Sequence, residues 1–244
     1  FSEAIKSLGS RGFKVHDTRE ILNHDLSKMK RVDGDYSKMK SLELKKMREE
    51  GYENLTLLNY LLSIGTSSNL TKEIKRSAKH LSFSHIGIAQ AKTYKQDNDR
   101  LSSWINNGYH AQMNWIKNRL PERSNVLEYY PDAKSIIIVT QNYYTGLANP
   151  DDDIGKISNY AWGDDYHLVI KKKLYQLLDQ IKQHDSSLDG IVCVDTSPIM
   201  EKAWAQRAGI GWIGKHTNLI TKDIGSWFFI GSIIINKELK YDNF

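Results

Sequence analysis

The sequence predicts an α/β domain of the α+β type, a sheet of short strands covered by helices. Three observations predict it. Ser135 to Gln141 (SIIIVTQ) and Trp227 to Ile235 (WFFIGSIII) are continuous apolar runs of strand length, as expected of strands covered on both faces. Between them, Leu168 to Gln183 has apolar residues at Leu168, Ile170, Leu174, Leu177, Leu178 and Ile181, the spacing of one helical face, with Lys171, Lys172 and Lys173 toward solvent. A β-branched run, Ile191 to Val194, then ends at Asp195 and leads through Thr196, Ser197 and Pro198 into a helix starting at Ile199 or Met200.

The chain divides by texture. Residues 1–70 read as a helical or partly disordered appendage, and residues 71–244 as the main domain. In the appendage, Ser41 to Glu50 reads as a helix stopped by Gly51, and Leu55 to Ile64 as a second one terminated by Gly65 to Ser68. A new helix is expected from Asn69 or Thr71, with Ile74, Ala78 and Leu81 on one face. Next come a short strand at His85 to Ala89 and a helix at Leu101 to Asn106 with Asn107-Gly108 as its C-terminal pair. Residues 108–125 form a polar, aromatic-studded stretch, and Thr145 to Lys156 reads as a mobile surface loop.

Composition bounds the rest. With 244 residues, core size is not limiting, and the net charge of +5 is compatible with an RNA partner or with ordinary solubility. No apolar run reaches the ~18 residues of a membrane helix, and no signal-peptide pattern opens the chain, so the expected location is the cytoplasm, with no membrane partner and a monomeric protein. Cys193 is the only cysteine, which excludes an internal disulfide and any metal site of several thiolates. Within its strand it reads as a small buried filler.

Asp195 follows a buried strand directly, a common place for reactive groups. Shielded by Trp204, Trp212 and Trp227, its carboxyl would hold a proton at neutral pH; spacing alone favours a cap for the next helix, and the two readings are compatible. Glycines 209, 211, 214, 225 and 231 beside large aromatics point to close backbone approach, with a flat ligand as the natural candidate. GIGWIGK fits Gly-x-Gly-x-x-Gly but follows a helix, so it is a weak dinucleotide signal. Lys215, His216 and Thr217 suit an anionic or amide-rich ligand or a solvated turn. Tyr109, Tyr160 and Tyr166 line a flat ligand or edge the core. Arg119 and Arg123 meet phosphates or solvent. Histidines 110, 167 and 216 lack metal-ligand spacing, so no metal ligand is expected.

Several blocks together resemble the epoxyqueuosine reductases, cobalamin-dependent enzymes of queuosine synthesis. They are Ile86-Gly-Ile-Ala89, Gly108-Tyr-His-Ala-Gln-Met113, Tyr160 with Gly163-Asp-Asp-Tyr-His167, Val194-Asp-Thr-Ser-Pro198 with Glu201-Lys202, Gly209 to Lys215, and Gly225 to Gly231. The resemblance covers about residues 72–242. It implies a nitroreductase-like fold that holds cobalamin, with Tyr160, Asp164, Tyr166, His167, Thr196, Ser197, Gly214, Lys215, His216, Thr217, Ser226 and Trp227 around the corrin. It implies Asp195 as the proton donor in epoxide opening and a tRNA with a queuosine-type anticodon as substrate, met by Tyr109, His110 and Arg123.

The family's iron–sulfur clusters sit in a following ferredoxin-like domain that supplies electrons. One cysteine cannot ligate them, and the chain's two ends suggest a fragment, expected to bind cobalamin but not to turn over alone. His216 stands where the family usually has Asn, which bears on one cofactor contact. Two alternatives remain at this level: a non-catalytic corrinoid- or RNA-binding fusion remnant, and a flavin enzyme of nitroreductase type. Separately, MREEGYENLTLLNYLLSIGTS, within residues 41–68, resembles a segment of bacterial glutamyl-tRNA synthetases. It contains no catalytic motif, so no synthetase activity is expected.

Overall fold

The computed structural model describes residues 54–146 and 157–242, with side chains from Ser67 onward. The helix expected at Ser41 to Glu50 and most of the Thr145 to Lys156 loop lie outside the described residues. Packing divides the chain between Asn69 and Leu70.

Four strands form one antiparallel sheet in the order β1 (His85–Gln90), β2 (Ser135–Asn142), β6 (Phe228–Ile235) and β3 (Gly190–Cys193). Two shorter strands, β4 (Trp212–Ile213) and β5 (Leu219–Ile220), pair as a separate hairpin. The long helices are α1 (Asn54–His80), α2 (Lys95–Asn106) and α6 (Tyr166–His184). Three short ones follow α2 where the aromatic stretch was expected: α3 (Asn114–Asn118), α4 (Leu120–Ser124) and α5 (Val126–Tyr129). α7 (Glu201–Arg207) follows β3.

Strand alternation explains the layers. Ile137 and Val139 of β2, with Ile233 and Ile235 of β6, point to one side, where Ile74 and Ala78 of α1 and Ile170, Leu174, Leu177 and Ile181 of α6 cover them. Ile136, Ile138 and Ile234 point to the other side and meet Trp204, Ala205 and Ala208 of α7 and Val126 of α5. The runs Ile136 to Val139 and Ile233 to Ile235 are therefore apolar at every position because both faces are buried, with Ser135, Thr140 and Ser232 buried beside them. Each fully buried Ile or Leu contributes about 1.5–3 kcal/mol, which is why the sheet centre anchors everything at its edges.

Three expectations change. α1 runs unbroken through Gly65 to His80, since interior glycine costs a helix only about 1 kcal/mol. Leu168 is 69% exposed, one position off the stripe that packs on the sheet. Lys173 is not solvated but donates from Nζ to Gln141 Oε1 at 2.8 Å.

β2 and β3 both run antiparallel to β6, with Asn142 opposite Phe228 and Cys193 opposite Ser232. Their carboxyl ends therefore share one end of the sheet with the start of β6. That end carries Tyr143 and Tyr144, Asp195, and Trp227.

Candidate active site

α6 begins at this end because Asp165 caps it, its carboxylate accepting the His167 backbone N–H at 2.9 Å. The same Oδ1 lies 2.8 Å from His167 Nδ1, while His167 Nε2 lies 3.1 Å from Asp195 Oδ2. A carboxylate at each ring nitrogen favours the imidazolium and raises the His167 pKa, the bond to Asp195 weighing most. The Asp165 carboxyl is held below its ordinary range by the same bonds.

Tyr166 stacks on Phe229 at 4.0 Å between ring centres, nearly parallel, and on His167 at 4.0 Å. Desolvation, then the charge and hydrogen bond of Asp195, push its phenol up to about 12, so it stays protonated across the physiological range. Phe229 is therefore the platform that fixes the start of α6 against the sheet.

Asp195 has φ of 52°, in the left-handed region. It does not cap α7, whose N-cap is Met200 with no side-chain bond. Nor do tryptophans enclose it. Its side chain is 58% exposed, Trp204 is core, and Trp212 and Trp227 are themselves 40% and 47% exposed. Glu201 Oε1 accepts the Asp195 backbone N–H at 2.9 Å. Burial pushes the Glu201 carboxyl up to about 7; the hydrogen bond from the Asp195 amide opposes the rise, the Asp195 charge adds to it, and Arg123 and His167 oppose it.

Arg123 belongs to this cluster. Its Nη1 donates to Ile199 O at 3.4 Å, and its buried Nε has no hydrogen-bond partner. Ser197 reaches another neighbourhood, hydrogen-bonding Tyr129 and Cys193, whose thiol burial lifts to about 11. That inert thiol matches the filler reading.

The β4–β5 hairpin gathers a second group of predicted residues. His216 Nε2 is 3.2 Å from Ser226 Oγ, and Lys202 Nζ donates to Thr217 O at 3.1 Å. Thr217, like Asp195, holds positive φ (66°) without being glycine, and such strain concentrates at functional sites. Trp227 packs on Tyr143 and Tyr144. Lys215, Thr196, Asp164 and Tyr160 are exposed. Tyr109 and His110 follow α2, Tyr109 67% exposed and His110 packed near Trp104.

The glycines mostly serve the protein itself. A Cβ at Gly211 would strike the Ile220 carbonyl across the hairpin. At Gly231 it would lie 2.8 Å from Ile170 Cγ2 under α6. Close approach was the right inference, but these partners are neighbouring elements.

A large flat group with polar edges fits what remains. Tyr144, Tyr160, Trp162, Trp212, Ile213 and Trp227 all expose apolar surface, more than a solvated face needs. Iron–sulfur ligation does not fit, since the only cysteine, Cys193, is fully buried. Among the described residues no group of three or more His, Cys, Asp or Glu could hold a metal ion, and no helix is long and apolar enough to cross a membrane.

A family model described as "Epoxyqueuosine reductase QueG, DUF1730" matches residues 123–196, which run from Arg123 to just past Asp195. An epoxyqueuosine reductase of Synechocystis sp. is 48% identical over 160 residues, 64% of this chain and 55% of that one. Over those residues the chain is similar to the epoxyqueuosine reductases. A second epoxyqueuosine reductase, from Atelocyanobacterium thalassa, is 40% identical over 177 residues, covering 71% of this chain and 57% of its own. The chain thus spans a little over half the length of the curated relatives it matches. Epoxyqueuosine reductase from Streptococcus thermophilus superposes with a TM-score of 0.62 at 30% identity, over 72% of this chain and 48% of that one. A crystal structure of epoxyqueuosine reductase with a tRNA-Tyr epoxyqueuosine-modified stem loop gives 0.62 at 26% identity, over 72% and 47%.

Sequence reading missed Glu201 and Asp165 as site members, although both lie inside the blocks shared with epoxyqueuosine reductases. Asp165 was legible as an acid directly before a helix. Nothing in the sequence signals that Glu201 reaches back to the Asp195 amide.

Proposed function

We propose that residues 71–244 form the cobalamin-binding catalytic part of an enzyme that reduces epoxyqueuosine to queuosine in tRNA, with Asp195 as proton donor. The observation that supports it most is the Asp165–His167–Asp195 chain at the exposed aromatic end of the sheet. Removing the epoxide oxygen as water takes two electrons and two protons. Cobalamin, when bound, supplies the electrons. The protein's part is the protons and the orientation.

Asp195, open to the ligand side and bonded to His167 Nε2, delivers a proton to the departing oxygen. His167, favoured as imidazolium, reloads it. Tyr166, His167 and Thr196 flank Asp195 on one edge of the corrin site, while Ser197 turns away toward Tyr129 and Cys193. Gly214, Lys215, His216, Thr217, Ser226 and Trp227 form the hairpin edge, and Tyr160 and Asp164 lie before α6. Tyr109, His110 and Arg123 face the tRNA. The iron–sulfur clusters of longer relatives are not ligated here, so the electron donor is a separate domain or protein. The protein is read as a cytoplasmic monomer.

The test is titration with cob(II)alamin, followed by absorbance and EPR. No spectral change at tens of micromolar ligand overturns the reading, and a yellow purified protein points to flavin instead. With a chemical reductant and an epoxyqueuosine-modified stem loop, Asp195→Asn should keep binding and lose reduction. Retained turnover removes Asp195 from the acid role.

A further inference from the structure

We propose that Glu201 is the positioning residue for Asp195: its carboxylate holds the backbone angle from which Asp195 faces His167. The role rests on Asp195 being the acid proposed above. Asp195 combines a left-handed φ of 52° with a side chain aimed at His167 Nε2, and its amide is bonded to Glu201 Oε1 at 2.9 Å. The turn around it is tight, with Thr196 N–H on Val194 O at 2.6 Å and Ile199 N–H on Ser197 O at 2.8 Å. Left alone, an L-residue there relaxes toward negative φ, and that rotation swings the carboxylate off His167. A charged acceptor in a desolvated place is a strong restraint against it.

The restraint comes from outside the turn. Glu201 opens α7, whose Trp204, Ala205 and Ala208 are packed in the core beneath the sheet. The charged and titratable groups facing Glu201 are Asp195 on the turn, Arg123 from α4, and His167 and Tyr166 from α6, with Cys193 of β3 behind. Desolvation among these groups pushes Glu201 up to about 7, so the acceptor changes charge in the neutral range.

NMR on the isotopically labelled 244-residue chain tests this without cofactor. The Asp195 amide proton should titrate with an inflection near the Glu201 value of about 7, and Glu201→Gln should remove that inflection. An amide shift unchanged through that range in the native chain overturns the proposal. Glu201→Gln and Glu201→Ala both remove the charge, but only Gln keeps an oxygen for the amide. The His167 ring should therefore titrate at lower pH in the Ala variant than in the Gln variant, and equal values also overturn it. If Glu201→Ala does not fold, the Asp195 amide in the native and Gln proteins decides alone. None of these readouts needs cobalamin, so absent cofactor binding in the same samples bears on the proposed function only.

Discussion

His167 Nε2 lies 3.1 Å from Asp195 Oδ2, joining residues 28 apart in the chain. The contact exists because two elements stop at the same sheet end: β3 delivers Asp195 and the first turn of α6 delivers His167. It makes His167 the natural partner of any proton that Asp195 gives up.

Asp165 should then have two separable effects. Asp165→Ala loses the α6 cap and should lower the midpoint of thermal unfolding. Asp165→Asn keeps an oxygen for the His167 N–H and should cost little. Both remove a carboxylate from Nδ1, so the His167 titration should fall in both when followed by NMR. The sign for stability follows from the raised folded pKa. Stabilisation by His167 is complete below the unfolded imidazole value, ~6.5, and is lost as pH rises through the higher folded one.

Glu201 adds a loss of stability in the same direction, toward alkaline pH. Its folded pKa of about 7 lies above the ordinary glutamate value of 4.5, so the native state holds the proton more tightly. Stability is therefore greatest below about 4.5 and declines as pH rises through about 7. Glu201→Gln escapes the cost of burying the charge while keeping the acceptor. In urea denaturation it should exceed the native protein by about 2 kcal/mol at pH 8 and match it at pH 5. Equal stability at both pH values would mean that the carboxylate is not desolvated.

Gly87 should control the site from a distance. A Cβ there would run into the backbone carbonyl of Ala208 and lie 2.9 Å from the Ala208 Cβ, at the end of α7. A backbone atom cannot rotate away, so Gly87→Ala should push α7 off β1 and cost about 1–3 kcal/mol. The same shift carries Glu201 with it. The Asp195 amide resonance should move in this variant although the substitution lies on another strand.

These relationships mark where the sequence was informative. Strands β2, β3 and β6 and helix α6 were legible because apolar periodicity follows burial, and both faces of this sheet are buried. The family blocks pointed to Asp195, His167 and Tyr166, which the fold brings to one place beside Arg123, a residue outside those blocks. Less was legible where an effect depends on partners distant in sequence. Gly211 and Gly231 read as room for a ligand but make room for Ile220 and Ile170. Gly65 read as a helix stop, yet α1 passes through it. Glu201 stood only inside a family block with no role of its own, and only the backward bend of residues 195–200 turns it onto the Asp195 amide.

The left-handed backbone at Asp195 separates chemistry from stability. Glycine adopts φ of 52° freely but loses more entropy on folding, by about 0.5–1 kcal/mol. Alanine has no such freedom and should bear the left-handed strain of roughly 1–2 kcal/mol. Asp195→Gly should thus stay within about 1 kcal/mol of the native protein, while Asp195→Ala falls below it. Both remove the carboxylate and should return His167 toward an ordinary imidazole titration. If Asp195 were retained for the fold, the Gly variant would be the neutral one in every assay. If it is retained for its proton, a well-folded Gly variant should bind cobalamin and fail to reduce the epoxide, and that pairing of stability with inactivity is the outcome we expect.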